Sequence, residues 1–140
     1  IREGSGGGGG SAPQGELVRP VPGRITSGFG PRLHPILGYT RMHTGVDMTA
    51  PAGQDIRAGA SGTVILAATY GGYGLTVVID HGGGMTTLYA HQSRLDVAAG
   101  DIVAAGDVIG DVGSSGLATG PHLHFEVRID GSPVDPEGYL

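Results

Sequence analysis

From Leu17 onward the apolar residues fall into short runs rich in Val, Ile and Thr, divided by glycine and proline, and no stretch carries the spacing of a long amphipathic helix. The clearest run, His122-Leu123-His124-Phe125-Glu126-Val127-Arg128-Ile129, alternates strictly. A strand there puts His122, His124, Glu126 and Arg128 on one face and Leu123, Phe125, Val127 and Ile129 on the other. Further strands are expected at Ile56–Ala58, Gly62–Ala68, Leu75–Asp80 and Met85–His91, the last ending in a histidine. Turns are expected at 70–74 and at His81–Gly84, where His81 would be solvated. Two units, Val97-Ala98-Ala99-Gly100-Asp101-Ile102 and Val103-Ala104-Ala105-Gly106-Asp107-Val108, repeat as tight corners, and residues 109–120 read as a long small-residue loop. The expected fold is mainly β: a two-sheet, antiparallel, sandwich-like domain with long loops around a groove.

Composition narrows the chemistry. The 140 residues suit one small domain covering 17–140, while 1–16, with its Gly/Ser run from Gly4 to Ser11, has the composition of a flexible linker or tail, either a native tether to upstream modules or an engineered scar. With no cysteine, disulfides and thiolate metal sites are excluded, so any metal must use His and carboxylate. A net charge of −5 without a basic cluster gives no footprint for nucleic acid. No stretch reaches the roughly 20 apolar residues of a membrane span. A chain starting at Ile1 rather than Met is expected of a trimmed product, so the lack of a signal segment carries no weight. All eight basic residues are arginine. A lipoyl- or biotinyl-type carrier, which the Gly-Asp corners suggest, needs a lysine and is thereby removed.

The alternating strand places two imidazoles about 7 Å apart along the backbone, close enough to share one small site. A second cluster is His43-Thr44-Gly45-Val46-Asp47-Met48. Gly45, the β-branched neighbours and Pro51 disfavour helix, so a turn entering a strand is expected, with Val46 and Met48 inward and His43 folding back onto Asp47. His91, at an expected strand end, is a third candidate, and His34, before Pro35, either lines a cleft or is a solvated loop residue. Glu126 shares the face of His124 and either orients it from behind or is an exposed strand glutamate.

His43-x3-Asp47, Tyr89-Ala90-His91 and Gly120-Pro121-His122-Leu123-His124-Phe125-Glu126, in this order and spacing, resemble the lysostaphin-type or LytM-like zinc endopeptidases of bacterial cell walls. The resemblance covers about Leu17 to Leu140, including Ser27-Gly28-Phe29-Gly30-Pro31-Arg32 and Pro133-Val134-Asp135-Pro136. It implies that His43, Asp47 and His124 bind one zinc ion, and that His91 and His122 flank its open position as catalytic residues. His122 would take the proton of a water; His91 would stabilise the oxyanion or protonate the leaving amine, and which imidazole does which stays open. The implied substrate is the peptide stems and cross-bridges of peptidoglycan, met in a secreted, periplasmic or wall-associated setting by a monomer. Residues 30–38 look like the group that cleaves D-Ala to diaminopimelate, with Arg32 placed to meet a stem carboxylate, rather than the glycyl-glycine group. The alternative implied is a non-catalytic activator of a wall amidase, expected to lack ligands; all five site residues are present here.

Overall fold

A computed structural model describes residues 16–33, 38 and 40–140. The expectations for His34 and for most of the tether at 1–16 lie outside the described residues.

The strands are β1 (Ile25–Ser27), β2 (Gly30–Leu33), β3 (Thr40–His43), β4 (Val46–Thr49), β5 (Asp55–Arg57), β6 (Gly62–Thr69), β7 (Leu75–Gly82), β8 (Met85–Leu95), β9 (Ile102–Val103), β10 (Val108–Val112), β11 (His122–Ile129) and β12 (Ser132–Val134). Ten of them form one hydrogen-bonded sheet in the order β1-β4-β11-β8-β7-β6-β9, with β12 added beside β11 and β10 bridging β8 to β5. The remaining pair, β2 and β3, forms a separate hairpin. Every pairing is antiparallel. Among the described residues the helical content is two short 3-10 turns, Gly71–Tyr73 and Pro136–Tyr139. The mainly β, antiparallel expectation is therefore met, and the expected division into two sheets takes the form of a large sheet and a hairpin.

β11 is the spine because alternation lets each of its faces do different work. Leu123, Phe125 and Val127 are fully buried against Val46, Met48 and Tyr89 from the strands on either side. Phe125 lies opposite Tyr89 on β8, with ring centroids 5.3 Å apart, a tilted aromatic pair of the kind that contributes beyond its buried area. The two Ala-Ala-Gly-Asp corners repeat in structure as in sequence: the carboxylates of Asp101 and Asp107 accept from the backbone N–H of Ala98 and Ala104, both at 2.9 Å.

Three local expectations are corrected. His81 is neither in a turn nor solvated: it sits near the end of β7, 5% exposed. Its Nδ1–H donates to the Ser61 carbonyl, Nε2 accepts from Thr87, Thr87 accepts from the Tyr89 hydroxyl, and that hydroxyl accepts from Gly59 N–H. A turn needs only Gly83 and Gly84, both at positive φ, which frees His81 to complete this chain. β8 does not end at His91 but runs to Leu95, because an irregularity in its register absorbs the histidine. The first part of the expected 109–120 loop is β10, since Gly110 lets the strand pass close to Gln92 and Arg94, where a Cβ would collide.

Candidate metal centre

Three neighbouring strands, β4, β11 and β8, carry the site. Asp47 on β4 lies opposite His124 on β11, which lies opposite Ala90 on β8, one residue before His91. His43 arrives from the hairpin at the end of β3, and only Thr44 and Gly45 separate β3 from β4. Gly45 is required by close approach: a Cβ there would collide with the Phe125 carbonyl oxygen and stand 3.1 Å from the His124 ring. His91 has φ of 60°, a left-handed conformation that costs a non-glycine residue of order 1–3 kcal/mol. That strain turns the imidazole out of the strand's alternation and beside His122, ring centroids 5.0 Å apart.

His43, Asp47 and His124 offer ligand atoms all within 4.8 Å of one another. Asp47 Oδ1 is 3.5 Å from His43 Nε2, 2.9 Å from His124 Nδ1 and 3.7 Å from His122 Nε2. Tetrahedral ligands at zinc bond lengths lie roughly 3.3 Å apart, so these separations bracket what such an ion needs.

The ring tautomers give a second, independent test of fit. His43 Nδ1 is 2.7 Å from the Gly28 carbonyl, His91 Nδ1 2.7 Å from that of Ser115, and His122 Nδ1 2.9 Å from that of Gly120. Carbonyls only accept, so each Nδ1 carries the proton and each Nε2 turns a lone pair into the groove. In His124 the roles reverse: Nε2 donates to Glu126 at 2.8 Å, leaving Nδ1 for the site. Four imidazole lone pairs and a carboxylate thus converge with no donor group among them, which is the donor set of a cation site. Burial opposes charge on His124, but Asp47 and Glu126 overcome it and push its pKa up to about 9. Burial pushes His91 down, helped by its histidine neighbours.

Glu126 is fully buried, which decides between the two expectations for it in favour of orienting His124. Burial would raise its pKa, yet it is held at about 2 by donation from His124, Thr44, Tyr73 and Arg128. Thr44 and Tyr73 hydroxyls each reach Oε2 at 2.7 Å, Arg128 Nε donates to Oε1 at 2.7 Å, and Arg128 Nη2 donates to the Tyr73 hydroxyl at 3.1 Å. Sequence alternation already placed Arg128 on this face; nothing in the sequence singled out Thr44 or Tyr73.

The cluster floors an open groove of about 650 Å³ lined also by Arg32, Arg41, Tyr73 and, from the loop before β11, Leu117, Ala118 and Thr119. All five candidate residues line it.

What the fold and site define is a mainly β domain whose groove ends in a His-Asp-His cluster flanked by two further imidazoles. A model of Peptidase family M23 matches residues 41–136, and the chain belongs to that family. It is 53% identical over 113 residues to the DD-carboxypeptidase/endopeptidase Mpg of Neisseria meningitidis, covering 81% of this chain and 26% of that protein. It is 40% identical over 133 residues to the murein hydrolase activator EnvC of Escherichia coli, covering 95% of this chain and 31% of EnvC. A zinc-containing peptidase from Vibrio cholerae superposes with a TM-score of 0.82 at 36% identity, over 87% of this chain and 39% of that one. The chain thus spans 26% and 31% of the length of these two curated relatives.

Proposed function

We propose that this chain is a zinc-dependent endopeptidase hydrolysing the peptide cross-links of bacterial peptidoglycan, at the bond from D-Ala to diaminopimelate. Residues 17–140 would be the peptidase domain and 1–16 its tether, acting outside the cytoplasmic membrane where the substrate lies. The observation that supports the reading is the cluster of His43, Asp47 and His124, whose ligand atoms all lie within 4.8 Å of one another. Three protein ligands leaving a position open is the pattern of a catalytic zinc. Held by His43, Asp47 and His124, a zinc ion would supply Lewis-acid polarisation of the scissile carbonyl and activation of a water.

The chain's own residues do the rest. His122, tied at Nδ1 to Gly120, offers Nε2 as the acceptor for the water's proton. His91 is neutral in the resting site and offers a lone pair, so it donates only after receiving a proton. The two adjacent imidazoles therefore act as one proton-holding pair, from which the leaving amine is protonated. Glu126 and its donors keep His124 in the tautomer a metal requires.

The test is zinc content together with mass spectrometry of muropeptides released from walls with direct diaminopimelate cross-links and from walls with glycyl bridges. Release from the former, one zinc per chain, loss of zinc in Asp47→Ala and loss of hydrolysis with zinc retained in His122→Ala are expected. The 40% identity to EnvC favours a second reading, a non-hydrolytic activator of a wall amidase. A chain that holds no zinc and releases nothing alone would support it.

A further inference from the structure

We propose that Arg32 and Arg41 form a carboxylate-reading subsite, making a free carboxylate on the diaminopimelate next to the scissile amide a condition of tight binding. The proposal rests on the reading of the groove as a peptidoglycan site and goes on to name what it recognises.

Arg32 and Arg41 are directly opposite each other across the β2–β3 hairpin, and Gly30 is opposite His43 two residues along. Opposed residues of an antiparallel pair share a face. Arg32, Arg41 and His43 therefore lie on one face of the hairpin, and all three line the groove. Like charges directly opposite destabilise a strand pair, so the arrangement costs the free protein stability that an anion between them would restore. The sequence makes no local provision against it: between Glu16 and Asp47 there are four arginines and no acid. Among the described residues neither arginine forms a salt bridge, although Glu137 comes up against Gly28. Among the described residues lining the groove, Asp47 is the one acid, and the proposed metal would neutralise it. In a chain of net charge −5, the groove is thus a positive patch.

Its distance from the chemistry is fixed by a shared acceptor. Arg32 Nη2 donates to the Gly28 carbonyl at 2.6 Å, the same oxygen that takes the His43 Nδ1 proton at 2.7 Å. The guanidinium is therefore within two hydrogen-bond lengths of a proposed metal ligand. A carboxylate gripped there belongs to the residue at the scissile bond, not to a remote part of the substrate. A D-Ala to diaminopimelate cross-link has such a group, on the carbon bearing the scissile nitrogen. A glycyl-glycine bridge has none.

The experiment compares muropeptide dimers whose diaminopimelate carboxylate is free or amidated. Binding is measured by calorimetry on the zinc-loaded His122→Ala chain, where hydrolysis is blocked, and cleavage on the otherwise unaltered chain. The free acid should be preferred on the order of 10- to 100-fold, as expected for charge-assisted hydrogen bonds, with the effect on KM rather than kcat. Arg41→Gln, added to each chain, should bring the ratio close to one, and Arg41→Lys should restore part of it. A merely structural arginine would lower both dimers alike and leave the ratio intact, which overturns the proposal. Equal binding of the two dimers, or no binding of either, overturns it too, even if both are cleaved. A ratio that depends on Arg41 in a chain that cleaves neither supports the subsite and instead defeats the hydrolase reading.

Discussion

Replacing His91 by glycine and by alanine should give an order of stability opposite to that normally found in a strand. Both changes delete the imidazole and its bond to the Ser115 carbonyl, so these losses cancel in the comparison. What remains is the backbone. In an ordinary strand interior alanine is favoured over glycine by roughly 0.5–1 kcal/mol. At φ of 60° the Cβ of alanine meets the steric cost of the left-handed region, about 1–2 kcal/mol, which glycine escapes. The net expectation is that His91→Gly is the more stable of the two, by about 1 kcal/mol. For a domain of this size that is a melting-temperature difference of roughly 3–5 °C. Equilibrium urea unfolding and differential scanning calorimetry of the two metal-free variants read it directly. Equal stability, or His91→Ala the more stable, would refute the claim that backbone strain turns this side chain into the groove.

Three further outcomes are expected. Gly45→Ala should cost about 1–3 kcal/mol by overpacking, because its Cβ would press on the Phe125 carbonyl and the His124 ring; zinc titration should weaken with it, and a variant that melts and binds like the parent would contradict the close approach. Glu126→Gln should lower zinc affinity by about 10–100-fold in a competitive chelator titration, whereas unchanged affinity would leave its four donors without a role in ligand orientation. His81 is buried with its pKa pushed down by that burial, so the folded state favours its neutral form. Its contribution to stability is then present above the unfolded value near 6.5 and declines as pH falls below it, down to the depressed folded value. Urea midpoints measured from pH 7.5 to 5.5 should fall less steeply in His81→Gln than in the parent, and parallel slopes would exclude the effect.

Period-two alternation was enough to place Leu123, Phe125 and Val127 in the core and His122 and His124 on the other face, because a one-residue slip would carry all three apolar side chains onto the polar site face and His124 and Glu126 into the core. The same reasoning put Val46 and Met48 inward and Asp47 outward, and Gly45 signalled the fold-back of His43. Alternation fails where the backbone departs from it. His91 lies in a strand whose register is interrupted, so its direction is set by φ, which no pattern of residue types reports. His81 was misread because a histidine followed by three glycines has the composition of a turn, whereas its partners Ser61 and Thr87 reach it only through pairing with β6 and β8. Glu126 illustrates the same limit. A strand pattern assigns its face but not whether Tyr73, from the turn before β7, closes over it.

The β2–β3 hairpin is separate from the large sheet, yet it holds His43 together with both groove arginines. Asp47, His91, His122 and His124 are held on three paired strands; the fifth candidate residue belongs to the hairpin whose arginines line the groove. On the proposed reading, grafting a hairpin from another family member to alter which peptide is accepted would therefore also alter how firmly the proposed metal is held. Selectivity and metal retention would have to be engineered as one trait, with the Gly28 carbonyl as the joint between them.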